Sequence, residues 1–207
     1  MPNEFRDDEE FFRWYGDWAP LTPATVGEVM AGFDRPWWVV GGWSVEAATG
    51  VSRAHDDLDV SLLARDVPAF AAFLGERWTA WNNAGGVLRP LRPEWPPVEP
   101  DSQLWVRRDS RSPWVLDVPI TPDRDGLWTN KRLPEHVAPV EEVTWVAADG
   151  VRYLRPEVAV MMKARLDRPK DRADLDAVLP VLDDDRRAWL FDTVERAHPG
   201  HPWLRHR

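Results

Sequence analysis

The chain has 207 residues, 43% of them apolar and 29% charged, with a formal charge of −9 and no cysteine. That is enough chain for one large domain or two small ones around a real core. It excludes wholesale disorder, disulfides, cysteine-bound zinc and thiol catalysis, and it argues against general nucleic-acid binding, which calls for a basic surface. No apolar run reaches the ~18–20 residues of a membrane span. The acidic start, Met1 to Glu10, lacks the apolar stretch of a signal peptide, so the cytoplasm is the expected compartment. Oligomer formation is left open. The 14 tryptophans are expected mainly in core and wall positions, because each buries a large area.

Taken in chain order, residues 1–20 read as an aromatic helix or packed arm. Thr22-Pro23 opens a helix that runs to about Gly32. Trp37 to Val40 is a short buried strand ended by Gly41-Gly42. Trp43 to Thr49 is a helix stopped by Gly50. Leu58 to Leu63 is a strand and Val67 to Arg77 a helix. A Gly- and Pro-rich loop is expected from Asn82 to Pro100, with Trp81 and Trp95 placed to line a cleft. Gln103 to Arg108 and Trp114 to Ile120 form one hairpin. Val143 to Ala147 and Val151 to Leu154 form another around Asp149-Gly150. After Pro156 the pattern is helical over Glu157–Arg168, Lys170–Leu182 and Asp184–Ala197. The expected fold class is therefore α/β (α+β), a mixed β-sheet flanked by helices, followed by a C-terminal helical part. The expected division is 1–155 and 156–207.

One strand carries the chemistry. In Asp57-Leu58-Asp59-Val60-Ser61-Leu62, side chains alternate faces, so Leu58, Val60 and Leu62 point to the core while Asp57, Asp59 and Ser61 point away. Two carboxylates on one strand face repel unless a cation lies between them, and an all-oxygen set suits Mg²⁺. Two solvated surface acids would read the same. Upstream, Val39-Val40-Gly41-Gly42-Trp43-Ser44 places two glycines at a helix start, where backbone N–H groups and the helix dipole favour a phosphate. A tight strand-to-helix turn would also read so. A third acid, Asp117, interrupts the apolar strand Trp114 to Ile120. It is costly there unless paired or metal-bound, although Pro119 fits an edge strand that would leave Asp117 in water.

Gly41-Gly42-Trp43-Ser44-Val45-Glu46, Gly50 and Ser52-Arg53-Ala54-His55-Asp56-Asp57-Leu58-Asp59-Val60 together resemble the nucleotidyltransferase superfamily. Within it, the resemblance is to the aminoglycoside and lincosamide adenylyltransferase branch, including the aminoglycoside (2″) adenylyltransferases. The close match spans residues 37–63. Glu46 stands where relatives often carry Asp, and Ser44 where Ala or Gly is usual.

The resemblance implies transfer of AMP from ATP, or another nucleoside triphosphate, to a hydroxyl of a small acceptor. An amino-sugar antibiotic is the class it suggests, and the −9 charge suits a cation. Asp57, Asp59 and Asp117 are implied as ligands of two Mg²⁺ ions, with Asp117 also the base. Gly41, Gly42, Ser44 and Arg53 are implied to hold the phosphates. His55 either orients Asp57 or contacts phosphate, or is a turn residue bonded to backbone. Lys163 either reaches the triphosphate or only snorkels. Lys170 and Asp174 read as a plain helical ion pair. Arg107, Arg108 and Arg111 read as a solvated turn, and His198, His201 and His206 as a tail without metal-ligand spacing. The competing readings are a non-catalytic or antitoxin-type protein on the same fold, and an enzyme acting on tRNA or protein.

Overall fold

The structure is a computed structural model, and residues 8–95 and 102–207 are described. In chain order they form α1 (Asp8–Tyr15), α2 (Gly27–Met30), β1 (Trp37–Val39), α3 (Gly41–Thr49), β2 (Val60–Leu63), α4 (Val67–Leu74), β3 (Thr79–Ala84), β4 (Val87–Pro90), β5 (Gln103–Arg107), β6 (Trp114–Thr121), β7 (Asp123–Arg124), β8 (Leu127–Thr129), β9 (Val137–Ala138), α5 (Val140–Val143), β10 (Thr144–Val146), β11 (Arg152–Leu154), α6 (Pro156–Lys163), α7 (Pro169–Val178) and α8 (Asp184–Ala197). The fold is mixed α/β, with mixed sheets, flanking helices and a helical C-terminal part, as expected. Compactness divides the chain differently from a boundary after residue 155. One unit is Met1–Trp37 with Asp56–Thr121, and the other is Trp38–His55 with Pro122–Arg207.

In the first unit, β2 runs parallel to β6, and β6, β5, β3 and β4 follow in antiparallel order. The hairpin of β5 and β6 is the one expected. β3 and β4 instead occupy the start of the stretch expected as a loop, and residues 96–100 of that stretch lie outside the described residues. Gly85 and Gly86 explain this hairpin. Both have positive φ (59° and 81°), which a two-residue turn between twisted strands requires. The helix expected from Thr22 to Gly32 shrinks to the single turn α2.

The aromatic N-terminus packs as an arm. Leu21 N–H donates to Val115 O, and Trp114 N–H to Asp17 O. Trp18 and Tyr15 stack edge-on against Trp105, at 5.1 and 5.5 Å between ring centres. The Arg107 guanidinium sits 4.0 Å over Trp114 and 5.0 Å over Trp81, and that of Arg108 5.0 Å over Trp78. Two of the three arginines expected in a solvated turn are therefore spent on indole faces.

In the second unit, β1 pairs in parallel with β11, which pairs antiparallel with β10 as the second expected hairpin. β7, β8 and β9 form a small antiparallel sheet. α3 packs on α6 and α7, and α6 on α7 and α8. Gly50 ends α3 in the left-handed region, with φ 70° and its N–H on Glu46 O, as its position after Thr49 requires. The tail is docked: His201 Nε2 lies 2.9 Å from Ala164 O and its Nδ1 accepts from Trp203 N–H. The three tail histidines form no metal-ligand group among the described residues.

Asp167 anchors this helical part. It accepts two hydrogen bonds from Arg172, at 2.8 and 2.7 Å, and one from the Trp203 indole at 2.8 Å. The Arg172 bonds, followed by that of Trp203, hold its carboxyl down at about 2. A depressed carboxylate stabilises in full above its unfolded value of 3.8, and the contribution fades as pH falls toward about 2. Denaturation midpoints measured between pH 5 and pH 2 should therefore fall more steeply for the wild type than for Asp167→Asn.

Candidate active site

Asp57 and Asp59 precede and enter β2, and Asp117 lies on β6. The chain brings them together through backbone pairing: Asp59 bridges Asp117 in the parallel sense, and Asp117 N–H donates to Leu58 O at 3.1 Å. The alternation expected along the strand holds, with Leu58, Val60 and Leu62 all fully buried. Ser61 lies on the other face yet is buried too. Its hydroxyl contacts Pro119 O and Thr121 Oγ1, each at 2.6 Å.

β6 is an interior strand between β2 and β5, which corrects the edge position that Pro119 suggested. Asp117 N–H points to the β2 side and Ile120 N–H to Ser102 O on the β5 side. The ring nitrogen of Pro119 therefore faces β2, where the ladder forgoes one bond and Ser61 contacts Pro119 O instead.

One carboxylate oxygen from each of the three residues can be chosen so that all lie within 4.8 Å of one another. Asp57 and Asp59 reach solvent, whereas Asp117 is buried. Burial, then the charges of Asp59 and Asp57, push the Asp117 carboxyl well above the ordinary value. The Trp105 indole, opposite Asp117 on β5, opposes this weakly; its N–H makes no well-formed hydrogen bond. The Oδ1 of Asp117 is buried without any donor. Clustered like charges and an orphaned buried acceptor are what a divalent cation relieves, and an oxygen-only donor set fits Mg²⁺.

The glycine block builds a second constellation, within the other unit. α3 begins at Gly41, with φ 70°. A Cβ on Gly42 would overlap the Arg53 guanidinium and lie 2.9 Å from His55 Cε1, so any larger residue there must displace Arg53. Arg53 donates from Nε and Nη2 to Asp174, at 3.0 and 3.3 Å, and from Nη1 to Ala54 O at 2.7 Å. His55 stacks on Trp43 at 3.9 Å between ring centres, and its Nε2 lies 2.7 Å from Glu46 Oε2. Burial would raise the Glu46 carboxyl, but His55, Ser52 and the Arg53 N–H outweigh it and hold it below its usual value. Lys163, 11% exposed at its side chain, sits 2.9 Å from Asp174 and 3.7 Å from Asp171. Burial also pushes Asp171 up, and Arg168 and Lys163 overcome it.

The expected site residues are thus placed unevenly. The three aspartates converge. Ser44 is fully buried, and its hydroxyl donates to Gly41 O at 2.9 Å, inside its own helix. Arg53 and Lys163 are held by buried acids, and His55 by Glu46 rather than by backbone. Asp174, expected as a surface acid paired with Lys170, is buried and holds Arg53 and Lys163.

Sequence reasoning missed Asp171 and Asp174 as members of this network, although a signal existed. Asp171, Asp174, Leu175 and Val178 are all buried at the i, i+3, i+4, i+7 spacing of a core-facing stripe, so the two acids lie on the inner face.

Gly42→Ala should displace the Arg53 guanidinium and leave Asp174 short of a partner. A cost of about 1–3 kcal/mol is expected in urea denaturation, the range for hydrogen bonds to buried charge. In an Arg53→Ala background the same substitution should cost much less, which a double-mutant cycle reads directly.

The convergent aspartates and the glycine turn at the start of α3 are the two features on which the resemblance rests. Residues 24–86 match the family described as Aminoglycoside-2''-adenylyltransferase, which bears out the resemblance read from the motif. The match covers the glycine block, Asp57 and Asp59 and stops short of Asp117. No curated protein matches. Three solved structures are similar at 16% identity. Lincosamide antibiotic adenylyltransferase LnuA, lincomycin-bound, has a TM-score of 0.48 over 75% of this chain and 92% of that one. A solution structure of the antibiotic-resistance factor ANT(2'')-Ia has 0.48 over 86% and 92%. ANT(2")-Ia in complex with adenylyl-2"-tobramycin has 0.39 over 82% and 83%. No helix among the described residues is long and apolar enough to cross a membrane.

Proposed function

We propose that the chain is a Mg²⁺-dependent adenylyltransferase that moves AMP from ATP to a hydroxyl of a small, cationic acceptor of the amino-sugar antibiotic class. The observation that carries this is the convergence of Asp57, Asp59 and Asp117, with one buried Asp117 oxygen left without a donor. In the reaction the acceptor oxygen bonds to the α-phosphorus, the bond from that phosphorus to the bridging oxygen breaks, and pyrophosphate leaves. Asp57, Asp59 and Asp117 would hold up to two Mg²⁺ ions, which when bound neutralise the phosphates and stabilise the attacking and leaving oxygens.

Asp117 takes the hydroxyl proton. Its burial and its two acidic neighbours raise its proton affinity, which suits a base that must hold a proton for part of the cycle. Gly41 and Gly42 present backbone N–H groups at the start of α3 to the β- and γ-phosphates. Arg53 and His55 support this turn, Arg53 packing against Gly42, while Asp174 and Glu46 hold them in place and Lys163 shares Asp174 with Arg53. Ser44 ties the first turn of α3 together rather than donating to phosphate. In this reading residues 1–155 carry the nucleotide chemistry, 156–207 support it, and the cytoplasm supplies the ATP.

The test is incubation with Mg²⁺, labelled ATP and separate acceptors: aminoglycosides, lincosamides, tRNA and a protein mixture. Label on an aminoglycoside or lincosamide, with release of pyrophosphate, supports the proposal. Label on tRNA or protein alone overturns the acceptor class. No label on any acceptor favours a non-catalytic role.

A further inference from the structure

A cavity lies within the unit formed by residues 38–55 and 122–207, with a volume of about 260 Å³. It is walled by β9, α5, α6 and α8, and none of the residues discussed above as active-site candidates lines it. Trp189 and His136 supply aromatic walls, their rings 5.3 Å apart. Glu157 is the buried acid of the cavity, 5% exposed. Its Oε1 lies 3.9 Å from Arg186 Nε, too far for a hydrogen bond, and Arg186 is closer to Asp183 at 3.4 Å. Its Oε2 is buried with no donor at all.

His136 Nδ1 is likewise buried and without a partner. Burial, and then the Arg196 charge, lower the His136 pKa, so the ring stays neutral near pH 7 and one ring nitrogen accepts. Glu142 and Asp185 add two more acids to the lining, against the single cation Arg186. The cavity therefore offers a buried carboxylate oxygen and a buried imidazole nitrogen, both without a partner, three acids against one cation in its lining, and an aromatic wall.

We propose that this cavity is a binding site for the ammonium group of a small organic amine, which donates to Glu157 Oε2 and His136 Nδ1 and lies against Trp189. An ammonium brings three donors and a positive charge, so it meets both deficits at once, and an indole face favours a cation. Ordered water would meet only the hydrogen-bond deficit. The site shares no lining residue with the acidic triad, and its test does not depend on the adenylyltransferase reading.

The experiment is calorimetric titration of the full chain with 1,4-diaminobutane at neutral pH and low salt, beside its neutral analogue 1,4-butanediol. Saturable one-site binding of the diamine, and none of the diol, is expected. Glu157→Gln should weaken that binding at least ~10-fold, about 1.4 kcal/mol. Glu141→Gln, which removes one exposed charge from the neighbouring wall helix α5, should change it less than ~2-fold. Asp59→Asn should leave it unchanged. No binding by the wild type, equal binding of the diol, or equal weakening by both glutamate variants overturns the proposal. Should Glu157→Gln not fold, wild-type amide and indole NMR shifts decide. Changes confined to Trp189 and its cavity neighbours support the site, and changes spread over the acidic surface overturn it.

Discussion

Asp59→Asn is expected to lower adenylyl transfer by ~10³-fold or more while leaving the fold intact. The side chain lies on the face opposite Leu58 and Val60, both fully buried, so the core does not register the change. The variant removes one of three carboxylates that repel one another across less than 4.8 Å. Without metal its melting temperature should equal or slightly exceed that of the wild type. With Mg²⁺ and ATP the order should reverse, because the wild type alone gains the full binding energy. A ligand at ~100 times its dissociation constant contributes roughly 2.7 kcal/mol. Turnover near the wild-type rate would remove Asp59 from the reaction, and a lower melting temperature without metal would contradict the repulsion argument.

Asp117→Asn is expected to separate rate from affinity. Asp57 and Asp59 would retain the ion on the triphosphate, so ATP binding should stay within about tenfold, ~1.4 kcal/mol. Asparagine cannot take the hydroxyl proton, and a positioned base is typically worth ~10²–10⁴-fold. The rate should therefore fall far more than the affinity. Calorimetry and pyrophosphate release on the same variant read the two quantities. Equal losses would make Asp117 a ligand of the triphosphate metal rather than the base. No loss in either would make its burial purely structural.

The parts of this site legible in the sequence were those set by local rules. Strand alternation separates Asp57 and Asp59 from Leu58 and Val60, and the helix stop at Gly50 follows from its freedom at positive φ. What stayed hidden depends on partners distant in sequence. Pro119 pointed to an edge, because a local rule cannot foresee that Ser61, 58 residues away, contacts its carbonyl in an interior strand. The capture of Arg53 by Asp174, 121 residues on, is tertiary and leaves no local sign. Lys163 was ambiguous for the same reason. The hairpin of β3 and β4 was obscured by composition: Asn82, Asn83 and two glycines read as loop, yet both asparagines are buried and the glycines make the turn.

The most direct test of the central claim, that Asp57, Asp59 and Asp117 form a metal–nucleotide site, is calorimetric titration of ATP with Mg²⁺ and with EDTA. It should be run on the wild type and on the variant carrying both Asp57→Asn and Asp59→Asn. The wild type should bind ATP at least ~10-fold more tightly with Mg²⁺ than without, and the double variant should lose that difference. Mg²⁺-independent binding by the wild type, or an undiminished Mg²⁺ effect in the double variant, would contradict the assignment.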